Sequence, residues 1–275
     1  MNTMEQSSIL VRGEGGLGDC LLANRFIPAI REYHPDSEIT FALDNDRGES
    51  FQLDVLSYFY PEISDNYSFF SDHEPSHFDY FYDLHIDKML WTQYSFDWLS
   101  RFYYFPKPKI EIEKEDFVCL HLTHDKWPPK NLSKYYIARL IEEIRKVHPF
   151  IKAICTESEK ESYEDILNED EVVCSDIITA CKTVAASKAF ITIDSGFKYI
   201  AYAYGVPTIE TADYYKEIGK VHPMIKARWL PFNERGLPLM YNVEFFKAAL
   251  YNILNNKIST ISPFFNTNEN IFKIP

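Results

Sequence analysis

The stretch GEGGLGD, residues 13–19, follows the apolar run SSILVR and precedes LLANRFIPAIREY. A short apolar strand, a glycine-rich loop and an amphipathic helix are the opening of a Rossmann-like βα unit. Gly13, Gly15 and Gly18 match G-x-G-x-x-G, the spacing of a dinucleotide-binding loop. Two features count against a dinucleotide. The acid that would hold a ribose belongs about 20 residues past the glycines, and Asp44, at the end of the second strand, lies several residues too far along. Asp19 also follows the last glycine directly. A carboxylate at a helix start satisfies the free amides and the helix dipole itself, and repels a pyrophosphate seated there. The loop is therefore a poor phosphate cradle and a good place for an exposed carboxylate at a cleft. The plainer alternative is that Asp19 only caps its helix.

Strand and helix alternate outward from this loop. Residues 20–33 have helical spacing of apolar positions, EITFAL (38–43) is a second strand, and ESFQLDVLSYFY reads as a helix stopped near Pro61. FDYFYDL (78–84) is a strand, and MLWTQYSFDWLSRFYYF an aromatic-rich helix whose rings read as core. FPKPKIEIEKED (105–116), with two prolines and alternating charge, reads as a linker. Alternation then restarts with FVCLHL, a helix over 131–147, the strand IKAICT, the helix ESEKESYEDIL and the strand EVVCS. A helix over 176–187, the strand AFITID, the helix GFKYIAYAYG and the strand VPTIE follow. The last helix candidate is VEFFKAALYNILNN (243–256), before a polar tail. The expectation is an α/β fold of two Rossmann-like domains, residues 1–108 and 109–275, with parallel sheets facing across a cleft. Ligands in such sheets bind beyond the carboxyl ends of the strands.

The totals bound the function classes. In 275 residues, 46% are hydrophobic, with 21 Phe and 19 Tyr against only 9 Gly, so the chain can fill a core. The formal net charge of -13 argues against a broad grip on DNA phosphates or anionic lipid. The cysteines are Cys20, Cys119, Cys155, Cys174 and Cys181, an odd number without C-x-x-C spacing. All five read as reduced core or near-core thiols of a cytosolic protein, with neither a metal nor a catalytic role. MNTMEQSSILVRG lacks the basic and apolar regions of a signal peptide, and no run reaches 18 apolar residues. A cytoplasmic protein with no integral membrane association is expected.

A second loop lies in AFITIDSGFKYIAYAYGVPTIE (189–210), where Asp194, Ser195 and Gly196 join a strand to a helix. Small residues there can offer backbone amides to a phosphate oxygen; the plainer alternative is an Asp/Ser cap. His121, Thr123 and His124 follow the strand FVCLHL, at a carboxyl end facing the proposed cleft. No spaced His or Cys partner accompanies them, so no metal site is expected. Arg12 and Arg25 flank the first loop and suit either an anionic acceptor or an ordinary surface. DHEPSH (72–77) reads as a polar loop, and EKESYEDILNEDE as a solvated face.

Three motifs in order carry a resemblance. The strand, the loop ending in Gly-Asp and the helix with Pro28-Ala29-Ile30 form the first. HDKWPPKNLSKYYIARL (124–140) forms the second, and D-S-G-x-x-x-x-A-x-A-x-G-V-P-T (194–208) the third. Together the chain resembles glycosyltransferase family 9, the bacterial heptosyltransferases. The resemblance implies a GT-B fold and an inverting transfer from a nucleotide-diphosphate sugar, a co-substrate, with no metal or other cofactor. It implies that Asp19 is the general base, with Gly15, Gly16, Gly18 and Arg12 on the acceptor side. It places Lys126 near the donor diphosphate, with Asp194, Ser195 and Gly196 around it and Thr123 nearby. The acceptor it implies is a lipopolysaccharide or other surface glycan.

The chain departs from the family pattern at two places. Tyr199 stands where the family has a His, with Lys198 before it as a substitute cation. Glu210 stands where the family tends to have Gly-Pro-Thr, and suits a ribose hydroxyl or a strand end. Other readings stay open. A phage-type enzyme acting on hydroxymethylated bases in DNA would use a basic strip such as Lys107, Lys109, Lys126, Lys130 and Lys134. A non-catalytic nucleotide-sugar binding module draws support from Tyr199. A nicotinamide oxidoreductase ranks last.

Overall fold

The computed structural model describes residues 6–24, 26–44, 50–84, 106–125, 131–193, 195–210, 250–251 and 254–255. The chain divides into two compact units, Met1–Glu111 and Ile112–Pro275.

In the first unit, β1 (Ser8–Glu14) leads through the glycine loop into α1 (Leu17–Asn24) and α2 (Ile27–Tyr33). Then come β2 (Glu38–Asp44), α3 (Phe51–Phe59), β3 (Asn66–Phe69) and β4 (Tyr80–Asp83). The strands pair in parallel in the order β3-β2-β1-β4. Ile9, Leu10 and Val11 of β1 are fully buried, as a central parallel strand covered on both faces requires. Gly13 permits close packing here, because a Cβ would run into the Phe41 ring on β2.

The second unit repeats the plan with β5 (Val118–His121), α4 (Lys134–Arg145), β6 (Ile151–Cys155) and β7 (Val172–Cys174). It continues with α5 (Ile177–Ala186), β8 (Ala189–Thr192), α6 (Phe197–Ala203) and β9 (Thr208–Glu210). The parallel order is β7-β6-β5-β8-β9. Ile137, Leu140, Ile141 and Ile144 put one stripe of α4 into the core with Leu120, Ile191 and Ile209. Each such buried side chain stabilises by roughly 1.5–3 kcal/mol relative to exposure. Side-chain caps fix two helix starts: Ser133 accepts from Tyr136 N–H, and Asp176 from Thr179 N–H at 3.0 Å. The linker is held to its own unit at each end. Lys109 N–H donates to Phe59 O in the first unit, and Lys114 Nζ donates to Ala185 O and Tyr204 O in the second.

The structure corrects several local expectations. The helix expected over 20–33 is two helices, because Pro28 lacks an N–H and occupies the first turn of a new helix. Asn66–Phe69 is an additional strand. ESEKESYEDIL is not an α-helix: Glu157–Ser162 is a 3₁₀ turn opened by a Thr156/Glu159 capping box, with Asp165 at positive φ beyond it. Cys174 is exposed, whereas the other four cysteines are buried. The aromatic-rich segment 89–105 and most of 243–256 lie outside the described residues. No described helix is long and apolar enough to cross a membrane.

Candidate functional site

The two loops singled out in the sequence each leave the carboxyl end of a strand beside the point where the strand order of their sheet reverses, the first after β1 and the second after β8. In the first unit, β1 lies between β2 and β4: the chain builds outward from β1 through β2 to β3, then returns to add β4 on the other side of β1. In the second, β5 lies between β6 and β8 in the same way. Such topological switch points open a crevice at the carboxyl ends of the strands, where ligands bind in open α/β sheets.

At the first switch point, Gly15 has φ +99°, and the loop turns back so that Asp19 reaches it. Asp19 is the third residue of α1, and its Oδ2 accepts from Gly16 N–H at 3.0 Å. This is the carboxylate half of a capping box, with glycine in the N-cap place. The Asp19 side chain is half-buried. A Cβ on Gly15 would come within 2.5 Å of the same Oδ2, so the loop tolerates glycine only. Gln52, on α3 and 2% exposed, donates from Nε2 to Gly15 O at 3.4 Å. Sequence reading missed Gln52, a lone polar residue on an apolar helix face.

Arg12 stands beside this loop among three carboxylates. It pairs with Asp44, and lies 3.3 Å from both Glu14 and Asp83. Phe70 covers the guanidinium at 4.9 Å. Burial opposes the Arg12 charge, but the Asp44 hydrogen bond and the neighbouring carboxylates outweigh it and raise its pKa. Arg12 thus ties the ends of β1, β2 and β4 together, and Asp44 serves that pairing. Arg25 lies outside the described residues.

At the second switch point, Ser195 is buried and its hydroxyl lies 3.2 Å from Thr192 Oγ1, at the end of β8. Gly196 is the N-cap of α6. Lys198 and Tyr199 are 1% and 6% exposed, so both lie inside the unit, with Nζ 5.2 Å from the Tyr199 ring centre. Thr123, past β5, is buried and donates to Tyr163 Oη, which also accepts from Leu122 N–H at 2.9 Å. Tyr163 lies in EKESYEDILNEDE, which reads in sequence as a solvated face; the structure corrects this, for Tyr163 is fully buried and fixes the loop leaving β5. The His121 and Phe197 rings meet edge to face at 4.9 Å, joining the ends of β5 and α6. His124 N–H is accepted by Asn131. Gly18 lies in the first turn of α1. Glu210 closes β9, and its side chain lies outside the described part, as do Lys126 and Asp194.

Three lysines of the basic strip that a DNA substrate would use face carboxylates. Lys107 faces Glu111 at 3.9 Å, Lys109 faces Glu62, and Lys134 faces Asp165 at 3.4 Å. Lys130, like Lys126, lies outside the described residues.

No protein-family model and no curated protein matches the chain in sequence. Solved structures match in fold. The E. coli ADP-heptose lipopolysaccharide heptosyltransferase II aligns with a TM-score of 0.59 at 13% identity, over 91% of this chain and 100% of that one. A family 9 glycosyl transferase from Veillonella parvula aligns with a TM-score of 0.55 at 14% identity, over 74% and 80%. TibC, an iron-containing dodecameric glycosyltransferase from enterotoxigenic E. coli, aligns with a TM-score of 0.52 at 11% identity, over 76% and 58%. The described residues do not fit an iron site of their own: they hold no group of three or more His, Cys, Asp or Glu able to bind a metal. At these identities the likeness establishes the architecture: the chain has the α/β fold of the GT-B glycosyltransferases, with two parallel sheets each wound about a central strand.

Proposed function

We propose that the chain is an inverting glycosyltransferase that moves a sugar from a nucleoside-diphosphate sugar to an acceptor hydroxyl without a metal. The first unit, about residues 1–108, binds the acceptor, and the second, about 109–275, binds the donor. One observation carries the reading: a half-buried carboxylate, Asp19, stands at one switch point, and the Ser195–Gly196 turn stands at the other. The fold shared with the heptosyltransferase II and the family 9 transferase supports it.

A sugar hydroxyl is a weak nucleophile until a carboxylate takes its proton in the transition state. Asp19 accepts that proton as the acceptor oxygen bonds to the anomeric carbon. The glycosidic C–O bond on the opposite face breaks, and the nucleoside diphosphate leaves with the electron pair. Charge grows on that leaving group, and preorganised donors stabilise it best. The amides of Ser195 and Gly196 and the ammonium of Lys126 take that role, and Asp194 of the same Asp-Ser-Gly run binds the donor without sharing in it. The acceptor is a lipopolysaccharide or other surface glycan.

A thermal-shift screen of ADP-heptose, ADP-glucose, UDP-glucose, GDP-mannose and NAD tests the donor half. Stabilisation by a sugar nucleotide and by its free diphosphate supports the reading. Stabilisation by NAD alone overturns it in favour of an oxidoreductase.

A further inference from the structure

Cys155 ends β6 and Cys174 ends β7, and they are direct partners in the parallel ladder between these strands. Adjacent strands lie about 4.8 Å apart, within the roughly 4.4–6.8 Å between Cα atoms that a disulfide bridges. In-register residues of a parallel pair project from the same face of the sheet. The two side chains interact directly, and both are free thiols. β7 is the edge strand of the described sheet, so the outer thiol meets solvent. We propose that Cys155 and Cys174 form a redox site, which a small disulfide of the glutathione class converts to an internal disulfide.

Exposure divides the roles. Cys174 is exposed and Cys155 is 7% exposed. The Cys174 thiolate attacks one sulfur of the small disulfide, forming a mixed disulfide and releasing one small thiolate. The Cys155 thiolate then attacks Cys174 Sγ and releases the second. The protein loses two protons and two electrons, and the small disulfide is reduced to two thiols. Cys20, Cys119 and Cys181 are fully buried and do not compete.

The surroundings slow the first attack. Cys174 Sγ donates to Glu157 Oε2 at 3.0 Å. That hydrogen bond, with some burial, holds the Cys174 thiol above its ordinary pKa. Burial, then the Cys174 and Glu159 charges, push Cys155 up to about 12. Glu157 is thus the brake on the first attack, since only the thiolate is nucleophilic. The pair also adjoins a structural relay. Cys155 runs into Thr156, whose N–H Glu159 accepts, and Tyr163 at the end of that turn holds Leu122 and Thr123. A cross-link here would brace the segment behind the β5 loop.

The intact protein is incubated with oxidised glutathione and followed by mass spectrometry with alkylation of remaining thiols. The wild type is expected to lose two hydrogens, retain no glutathione and yield a linked Cys155–Cys174 peptide pair. Cys155→Ser is expected to retain one glutathione on Cys174, and Cys174→Ser to remain unreacted. Glu157→Gln is expected to speed the wild-type reaction severalfold at neutral pH, which also tests the idea should Cys155→Ser fail to fold. A persistent glutathione adduct on wild-type Cys174 with Cys155 still open to alkylation would overturn the proposal. So would a Cys174 that iodoacetamide modifies but oxidised glutathione leaves untouched. Neither result bears on sugar transfer.

Discussion

Oδ2 of Asp19 accepts a hydrogen bond from Gly16 N–H at 3.0 Å, so the carboxylate is oriented by the very loop that precedes its helix. One backbone amide fixes the position of the proposed base, and the positive φ of Gly15 makes that approach possible.

Gly15→Ala is expected to disturb this arrangement on two counts. Its Cβ would lie 2.5 Å from Asp19 Oδ2, and alanine resists φ +99°. Backbone strain of this kind costs about 1–3 kcal/mol. Urea denaturation should show that loss in the first unit, and turnover should fall with it. An unchanged midpoint and unchanged turnover would show that the loop relaxes freely.

Tyr163→Phe is expected to destabilise the second unit by about 1–3 kcal/mol, the penalty for stranding buried polar groups. Removing Oη strands Leu122 N–H and takes the acceptor from buried Thr123. Hydrogen exchange at the Leu122 amide is the direct readout, and it should accelerate. An amide protected as before would mean that another group replaces the hydroxyl.

Asp65 gives the first unit a pH dependence of known sign. Burial opposes its charge, but the Ile39 N–H at 2.7 Å and Arg31 outweigh it and hold its pKa below the ordinary carboxylate range. A depressed folded pKa means stability present above the ordinary value of about 4 and lost as pH falls through the folded value. Asp65→Asn should therefore be less stable than wild type at pH 7, and equal to it in strong acid. Exposure and salt keep the difference under about 1 kcal/mol. Thermal unfolding across pH 2–7 tests this; a gap that persists in strong acid would contradict it.

Much of this architecture was legible because parallel strands buried on both faces are short apolar runs, as ILVR, FVCLHL and AFITID show. The Asp19 loop was legible because its glycines and its acid are adjacent in sequence. Asn66–Phe69 was not, since an edge strand of four half-exposed residues carries no apolar run. The stretch 157–162 reads as a helix but folds as a 3₁₀ turn, because a Thr156/Glu159 capping box opens either kind of helix. The burial of Lys198 was hidden as well, because a lysine next to a glycine turn reads as a surface cation until its packing is seen. Gln52, Tyr163 and the Cys155–Cys174 pairing depend on contacts between distant segments, and no local spacing announces them.

The central claim is that Asp19 takes the acceptor proton, and Asp19→Asn tests it most directly. Asparagine keeps an oxygen for the Gly16 N–H, so the loop is preserved while the base is lost. The variant and the wild type are compared for release of nucleoside diphosphate from the stabilising sugar nucleotide, with core-truncated lipopolysaccharide as acceptor, and for donor affinity by calorimetry. The account predicts turnover lower by about 10²–10⁴-fold with donor affinity unchanged. Turnover equal to that of wild type would contradict it.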